Sequence, residues 1–233
     1  MKKNIFQSVA ILSFVMLSAS VAVLPANAAE EKAKRDPGKT VYMGKACMAC
    51  HGKDGRKAMM EYPNIAGQDE KYIARQIEDI ISGKRLGSPD ATGNPRAQGM
   101  QGALVSPSGD KNVPRISKEE IKQVAKWLSE QKPADLKEPK EPLDAASVAA
   151  GETLFKQKCK ACHGNEGMKP LKGNPYLAGQ KRNYIFAQLQ DIKSQARKTA
   201  KTAPMYGIVK KMTDEEFASL ADYLSQVDRN AAK

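Results

Sequence analysis

Two five-residue motifs constrain this chain more than any other feature. They read CMACH at residues 47–51 and CKACH at residues 159–163, and they hold all four cysteines and both histidines of the 233-residue sequence. In a C-x-x-C-H motif, two thiols form thioether bonds to a haem and the adjacent imidazole ligates its iron. The motifs predict two covalently attached haem c groups. The predicted attachment sites are Cys47, Cys50, Cys159 and Cys162, and the predicted iron ligands are His51 and His163.

Two other uses of cysteine explain the motifs less well. A disulfide would account for the cysteines of an exported protein, but it leaves each following histidine unexplained. A zinc ion in a structural site takes four ligands, whereas each motif offers at most three. Zinc would therefore require the two motifs to share one site.

The residues around the two motifs repeat at a constant offset of 112 positions. After each histidine, the same residue types recur in the same order through the start of a predicted helix. A repeat organised around a cofactor motif indicates two copies of one small domain. The matched pairs include Gly52/Gly164, Pro63/Pro175, Gly67/Gly179, Gln68/Gln180, Tyr72/Tyr184 and Gln76/Gln188.

Helical signals follow in both halves, so the predicted fold class is all-α. Apolar side chains at helical spacing follow Tyr72 and Tyr184. Later, Ser117 and Thr213 each stand three residues before a glutamate, which is the pattern of a helix-starting capping box. The intervening segments 82–115 and 194–211 are predicted loops, and the first carries 16 extra residues.

The chain divides into three predicted segments. Residues 1–28 combine a basic start, an apolar run and an Ala-Asn-Ala cleavage site, which is typical of a secretory signal peptide. An uncleaved membrane anchor is the alternative, because the apolar run approaches spanning length. A proline-rich linker at 130–145 then separates a domain at 29–139 from a domain at 140–233. No later stretch is apolar enough to span a bilayer, so after signal removal we expect no integral membrane protein.

The second axial ligand of each iron is restricted by residue counts. No histidine or cysteine remains, which leaves methionine, lysine, an end group, water or nothing. Methionine is favoured, because a thioether stabilises ferrous iron in electron-transfer haems. Of the ten methionines, those beside or just after a haem motif are poorly placed to reach the opposite face, and Met212 occupies a helix-packing position. The candidates are therefore Met100 and Met205, which lie in equivalent loops.

The charge of the chain suggests its partners. The net charge is +12, with 38 basic against 26 acidic residues. An exported protein rarely meets nucleic acid, and no basic helix interleaved with stacking aromatic residues is present. We therefore expect an acidic redox protein as the partner and no nucleic acid.

These residues together resemble the class I cytochromes c, and in particular the two-haem cytochrome c4 family. The resemblance rests on both haem motifs, on PNIAGQ at 63–68 and PYLAGQ at 175–180, on Met100 and Met205, and on both final helices. It implies two tandem class I cytochrome c-like haem domains. It also implies that the carbonyls of Pro63 and Pro175 accept hydrogen bonds from the two histidines, which orients each imidazole.

The resemblance also implies a function. Such proteins carry single electrons in the bacterial periplasm, often toward a terminal oxidase, and they are carriers rather than enzymes. An oxidase or a membrane quinol-oxidising complex is the expected partner. Two alternatives stay open: a cytochrome subunit of a larger dehydrogenase or oxidase complex, and a haem enzyme with one open iron site. Because of the longer loop at 82–115, any departure from His–Met ligation is expected at the first haem.

Overall fold

The computed structural model of the protein describes residues 36–108, 110, 113–139 and 141–231. In these ranges the chain is helical, and its extended segments pair only as three isolated bridges, so the all-α prediction is confirmed. The predicted signal peptide at 1–28 and the predicted domain boundary at residue 140 lie outside the described residues.

Each repeat contributes five α-helices to the described part of the chain. The N-terminal helices are α1 Pro37–Gly44, α2 Met48–His51, α3 Glu70–Ile81, α4 Gln98–Leu104 and α5 Lys118–Ser129. The C-terminal helices are α6 Ala145–Lys158, α7 Lys160–His163, α8 Arg182–Lys193, α9 Ala203–Val209 and α10 Asp214–Ser225. A short 3₁₀ turn spans Asn165–Gly167.

The predicted capping boxes are present at both final helices. Ser117 begins α5 and Thr213 begins α10, and each side chain accepts a hydrogen bond from the backbone of the glutamate three residues on. That glutamate reaches back to the capping residue's own backbone N–H. These reciprocal bonds satisfy donors that a helix start otherwise leaves unpaired.

The first and last helices of each repeat approach one another closely at a glycine. A Cβ at Gly38 of α1 would lie 2.2 Å from the Gln123 carbonyl oxygen of α5. A Cβ at Gly151 of α6 would lie 1.9 Å from the Ser219 carbonyl oxygen of α10. Only glycine permits such backbone proximity, so the two repeats use the same packing device.

Two separate apolar cores result, one in each repeat. In the first, the Tyr42 and Trp127 rings pack with their centroids 4.9 Å apart. In the second, Phe155 and Tyr223 pack with centroids 5.8 Å apart. Each core therefore holds its terminal helices together behind the haem motif.

The predicted loops at 82–115 and 194–211 are only partly irregular, which corrects the prediction. They contain α4 and α9, the helices that carry Met100 and Met205. Neither helix has a side-chain cap, and each has seven residues. Helices this short are not stable alone, so burial of Leu104 and Val209 against the cores stabilises them and local sequence signals do not reveal them.

The linker is irregular, as predicted, and contacts both repeats. The Arg56 guanidinium donates to the Pro133 carbonyl oxygen at 3.3 Å and pairs with Asp135 at 2.6 Å. From the other end of the chain, Asn230 donates its side-chain amide to the Ala134 carbonyl oxygen at 3.2 Å. These bonds fix the path of the linker.

We expect Gly38→Ala to lower the free energy of unfolding by about 1–3 kcal/mol, because the added methyl group overpacks the contact between α1 and α5. The matched control is Gly44→Ala in the same helix, where a Cβ would meet nothing within 4 Å. This control should be neutral or stabilise by about 1 kcal/mol through helix propensity. Guanidinium denaturation followed by circular dichroism measures both. Equal effects of the two changes would contradict the close approach.

Candidate haem sites

Both motif histidines end a short helix and make the same backbone contact. His51 Nδ1 lies 3.0 Å from the Pro63 carbonyl oxygen, and His163 Nδ1 lies 3.2 Å from that of Pro175. The contacts implied by the family resemblance are therefore confirmed. When Nδ1 donates to the carbonyl, the lone pair resides on Nε2, which is the atom available to a metal.

Burial sets the protonation state of both imidazoles. The pKa of His51 is lowered because burial disfavours its charged form, and this outweighs the hydrogen bond to Pro63. Burial likewise lowers the pKa of His163 against its bond to Pro175. Both rings are thus held neutral, which is the form that binds iron.

One continuous cavity, partly open to solvent, joins the two motifs. Its walls are mainly apolar and come from both repeats. A flat, largely apolar macrocycle fits such walls. The predicted site residues that line the cavity are Cys47, His51, Met100, Cys159, Cys162, His163 and Met205. Cys50 is exposed beside it, at the next turn of the same motif.

The structure brings each candidate methionine to the cavity that contains the histidine of its own repeat. Met100 packs against the N-terminal core and Met205 against the C-terminal core, and both are half-buried. In contrast, Met59 and Met60 are exposed, and Met212 is buried as a packing residue. Ligation by Met100 and Met205 stays a prediction.

The two repeats are joined by reciprocal hydrogen bonds beside the cavity. The Gln68 side chain donates to the Tyr176 carbonyl oxygen at 2.9 Å and accepts from the Tyr176 backbone N–H at 2.7 Å. The equivalent Gln180 makes the same pair of bonds with the Asn64 backbone, at 2.7 and 3.1 Å. The interface therefore has an approximate two-fold relation.

Two arginines cross this interface in opposite directions. Arg85 and Arg197 are 9% and 7% exposed and pair in a short antiparallel bridge. Arg85 donates to the Tyr184 hydroxyl at 2.6 Å, and Arg197 donates to the Tyr72 hydroxyl at 3.1 Å. Each guanidinium also donates to the glutamine one turn beyond its tyrosine, Gln188 for Arg85 and Gln76 for Arg197.

These arginines were missed in the sequence, although they stand 112 positions apart like the other repeat pairs. Both line the cavity, and the Nε of each is buried without a hydrogen-bond partner among the described residues. Their tyrosine and glutamine hydrogen-bond partners are neutral, and no carboxylate among the described residues forms an ion pair with either guanidinium, which makes their burial costly. A haem carries carboxylates that would supply this charge, so the residues fit the group that the motifs predict.

Comparisons with known proteins agree with this geometry. Residues 36–132 and 148–228 each match the family described as Cytochrome c. Cytochrome c4 of Azotobacter vinelandii is 31% identical over 194 residues, covering 78% of this chain and 85% of that protein. A "Thiosulfate dehydrogenase electron acceptor" of Stutzerimonas stutzeri (strain A1501) is 31% identical over 189 residues, covering 78% and 79%.

A solved structure is also similar to this chain. The crystal structure of reduced recombinant cytochrome c4 from Pseudomonas stutzeri superposes with a TM-score of 0.63 at 28% identity, covering 82% of this chain and 96% of that one. The chain therefore belongs to the cytochrome c family, and within it to the two-haem cytochrome c4 group. It is an electron-transfer protein with two covalently attached haem c groups.

The helices themselves give one further finding about membranes. No helix in the described part of the chain is both long and apolar enough to cross a lipid bilayer.

We expect Arg197→Gln to lower the midpoint potential of at least one haem, because a buried positive charge beside the cavity disfavours the ferric state. Lys198→Gln is the matched control, since it removes the same charge from an exposed neighbour that solvent screens. Spectroelectrochemical titration measures both. Equal shifts in the two variants would mean that the Arg197 charge does not act on the haems.

Proposed function

We propose that this protein carries single electrons between redox partners in the periplasm, by outer-sphere transfer at two haems with His–Met ligation. The observation that carries the proposal is the shared cavity, to which each repeat brings one neutral imidazole and one thioether. The bound haem supplies an iron that alternates between the ferric and ferrous states. The residues of the chain supply the iron ligands, their orientation and the docking face.

The proposed iron ligands are His51 with Met100 and His163 with Met205. The bonds to Pro63 and Pro175 orient the imidazoles, so little rearrangement accompanies a change of oxidation state. A thioether favours ferrous iron and raises the potential. With one histidine and one methionine committed to each iron, the chain would leave no coordination position for a substrate, which is why a carrier is favoured over an enzyme.

The periplasmic location rests on the signal-peptide pattern of residues 1–28. The proposed partner is an acidic redox protein, such as a terminal oxidase or a quinol-oxidising complex, because the chain carries a net charge of +12. Exposed lysines surround the second haem motif in sequence, where Cys162 is itself exposed. We place the docking face there, at Lys158, Lys160 and Lys169.

A second candidate function is an electron-accepting subunit of a dehydrogenase complex. It is favoured by the 31% identity to a protein named as the electron acceptor of thiosulfate dehydrogenase. The two candidates differ in how firmly the partner is held. Stable co-purification of the native protein with a dehydrogenase would support the subunit function. Purification of the protein without a bound dehydrogenase would support the free carrier.

We expect Met205→Ala and Met100→Ala each to remove about half of the red-end absorption band that arises from thioether-to-ferric-iron charge transfer. Met212→Ala is the control, because Met212 is a buried packing residue and should leave the band intact. Absorption spectra of the ferric protein at equal haem content measure the effect. An undiminished band in either variant would contradict the ligand assigned there, and an absent band in the unmodified protein would support an open iron site.

We expect the rate of electron transfer to an acidic partner to fall as ionic strength rises, because salt screens attraction between exposed charges. Lys160→Gln should slow the reaction at low salt, whereas Lys118→Gln in the other repeat should not. Stopped-flow kinetics with the isolated partner measure both. A rate that is insensitive to salt would contradict electrostatic docking.

A further inference from the structure

Two aspartates occupy equivalent positions behind the cavity arginines. Asp79 in α3 and Asp191 in α8 are separated by the repeat offset of 112. The Arg85 backbone N–H donates to the Asp79 carbonyl oxygen at 3.0 Å, and the Arg197 N–H donates to that of Asp191 at 2.9 Å. The backbone therefore presents both carboxyl groups in the same way.

The surroundings of the two carboxyl groups differ. Asp191 is 1% exposed, and its carboxylate accepts from the Ser88 backbone N–H at 2.8 Å. It also lies 3.6 Å from the Arg96 guanidinium. Ser88 and Arg96 belong to the loop of the N-terminal repeat, the longer of the two. This loop closes over a carboxylate of the other repeat.

Glycine allows this closure. Gly87 has a φ of +80°, and a Cβ there would lie 2.7 Å from Asp191 Oδ2. Gln188 also donates its side-chain amide to Asp191 at 3.3 Å, and its oxygen accepts from both cavity arginines. Asp191 is thus joined to the haem cavity through Gln188 and the two arginines.

Among the described residues, no backbone N–H or cation from the other repeat forms a hydrogen bond or ion pair with the Asp79 carboxylate. Its Oδ2 is buried and has no hydrogen-bond partner among the described residues. The charged groups that face it are Arg75 on its own helix, Arg197 from the other repeat, and Arg85 and Lys84. Burial nevertheless raises the pKa of Asp79, outweighing these four cations.

We propose that Asp79 is a proton-accepting site linked to reduction of the N-terminal haem, and that the loop contacts made by its counterpart Asp191 distinguish the two sites. In the coupled step, the electron donor passes one electron to ferric iron and solvent passes one proton to the Asp79 carboxylate. Oxidation releases both. The inference rests on the proposed electron-carrier function and extends it with proton uptake at one of the two sites.

The link between iron and Asp79 is electrostatic. Arg75, Arg85 and Arg197 line the cavity and also face Asp79. An electron added in the cavity offsets part of their positive potential, so the ionised form of Asp79 becomes less favourable and its pKa rises. Protons are then taken up on reduction, and by linkage the midpoint potential falls as pH rises between the ferric and ferrous pKa values of Asp79.

The test is a redox titration of the full haem-loaded protein at several pH values, with haem methyl NMR signals assigning each potential to its haem. In the unmodified protein, we expect the first haem's potential to fall as pH rises and the second to change less. Asp79→Asn should abolish the slope at the first haem. Asp191→Asn is the matched control and should leave that slope unchanged.

A second arm tests the loop. Arg96→Gln removes the cation that lies 3.6 Å from Asp191, and we expect it to leave the slope at the first haem unchanged, because it makes no contact with Asp79. Reduced-minus-oxidised infrared difference spectra provide an independent readout, because a protonated-carboxyl stretch should appear on reduction and vanish in Asp79→Asn. No such stretch in the unmodified protein, or an unchanged slope in Asp79→Asn, would overturn the proposal. Two one-electron haems without a pH slope would leave the carrier function standing and refute only the proton link.

Discussion

The buried positive charge of Arg85 and Arg197 is the interaction on which the rest of the structure depends. Each guanidinium reaches into the other repeat and bonds to neutral side chains there, with its Nε left unpartnered among the described residues. Such an arrangement is costly unless an anion completes it. The carboxylates of two haems, attached at the two motifs that line this cavity, would supply such an anion. Haem binding and the association of the repeats would then be coupled through the same two side chains.

The approximate two-fold relation of the interface does not make the two sites equal. Gln68 and Gln180 make reciprocal bonds, and so do the two arginines. The long loop breaks the relation, because Ser88 and Arg96 bind Asp191, while no such contact reaches Asp79 within the part of the chain that the structure describes. An inserted segment in one repeat thus acts on the electrostatics of the other. Two haems in one chain can in this way respond differently to the same solution.

Short-range signals made much of the molecule predictable. The haem motifs and the capping boxes at Ser117 and Thr213 each depend on residues a few positions apart. The proline carbonyl contacts, twelve positions from each histidine, were implied by the family resemblance. What was missed depends on distant partners. The helices α4 and α9 form because the cores bury them, and the arginines matter because another repeat receives them. The effect of the long loop on its own haem stays a prediction, and its contact with Asp191 of the other repeat is a long-range feature that no local signal indicates.

A crystal structure of the haem-loaded protein, with the iron atoms located by anomalous scattering, tests the central claim most directly. The account predicts two irons, each bound to one motif histidine, with haem carboxylates of both groups within hydrogen-bond distance of Arg85 or Arg197. Carboxylates that point away from the interface, with both guanidiniums still lacking an anionic partner, would contradict it.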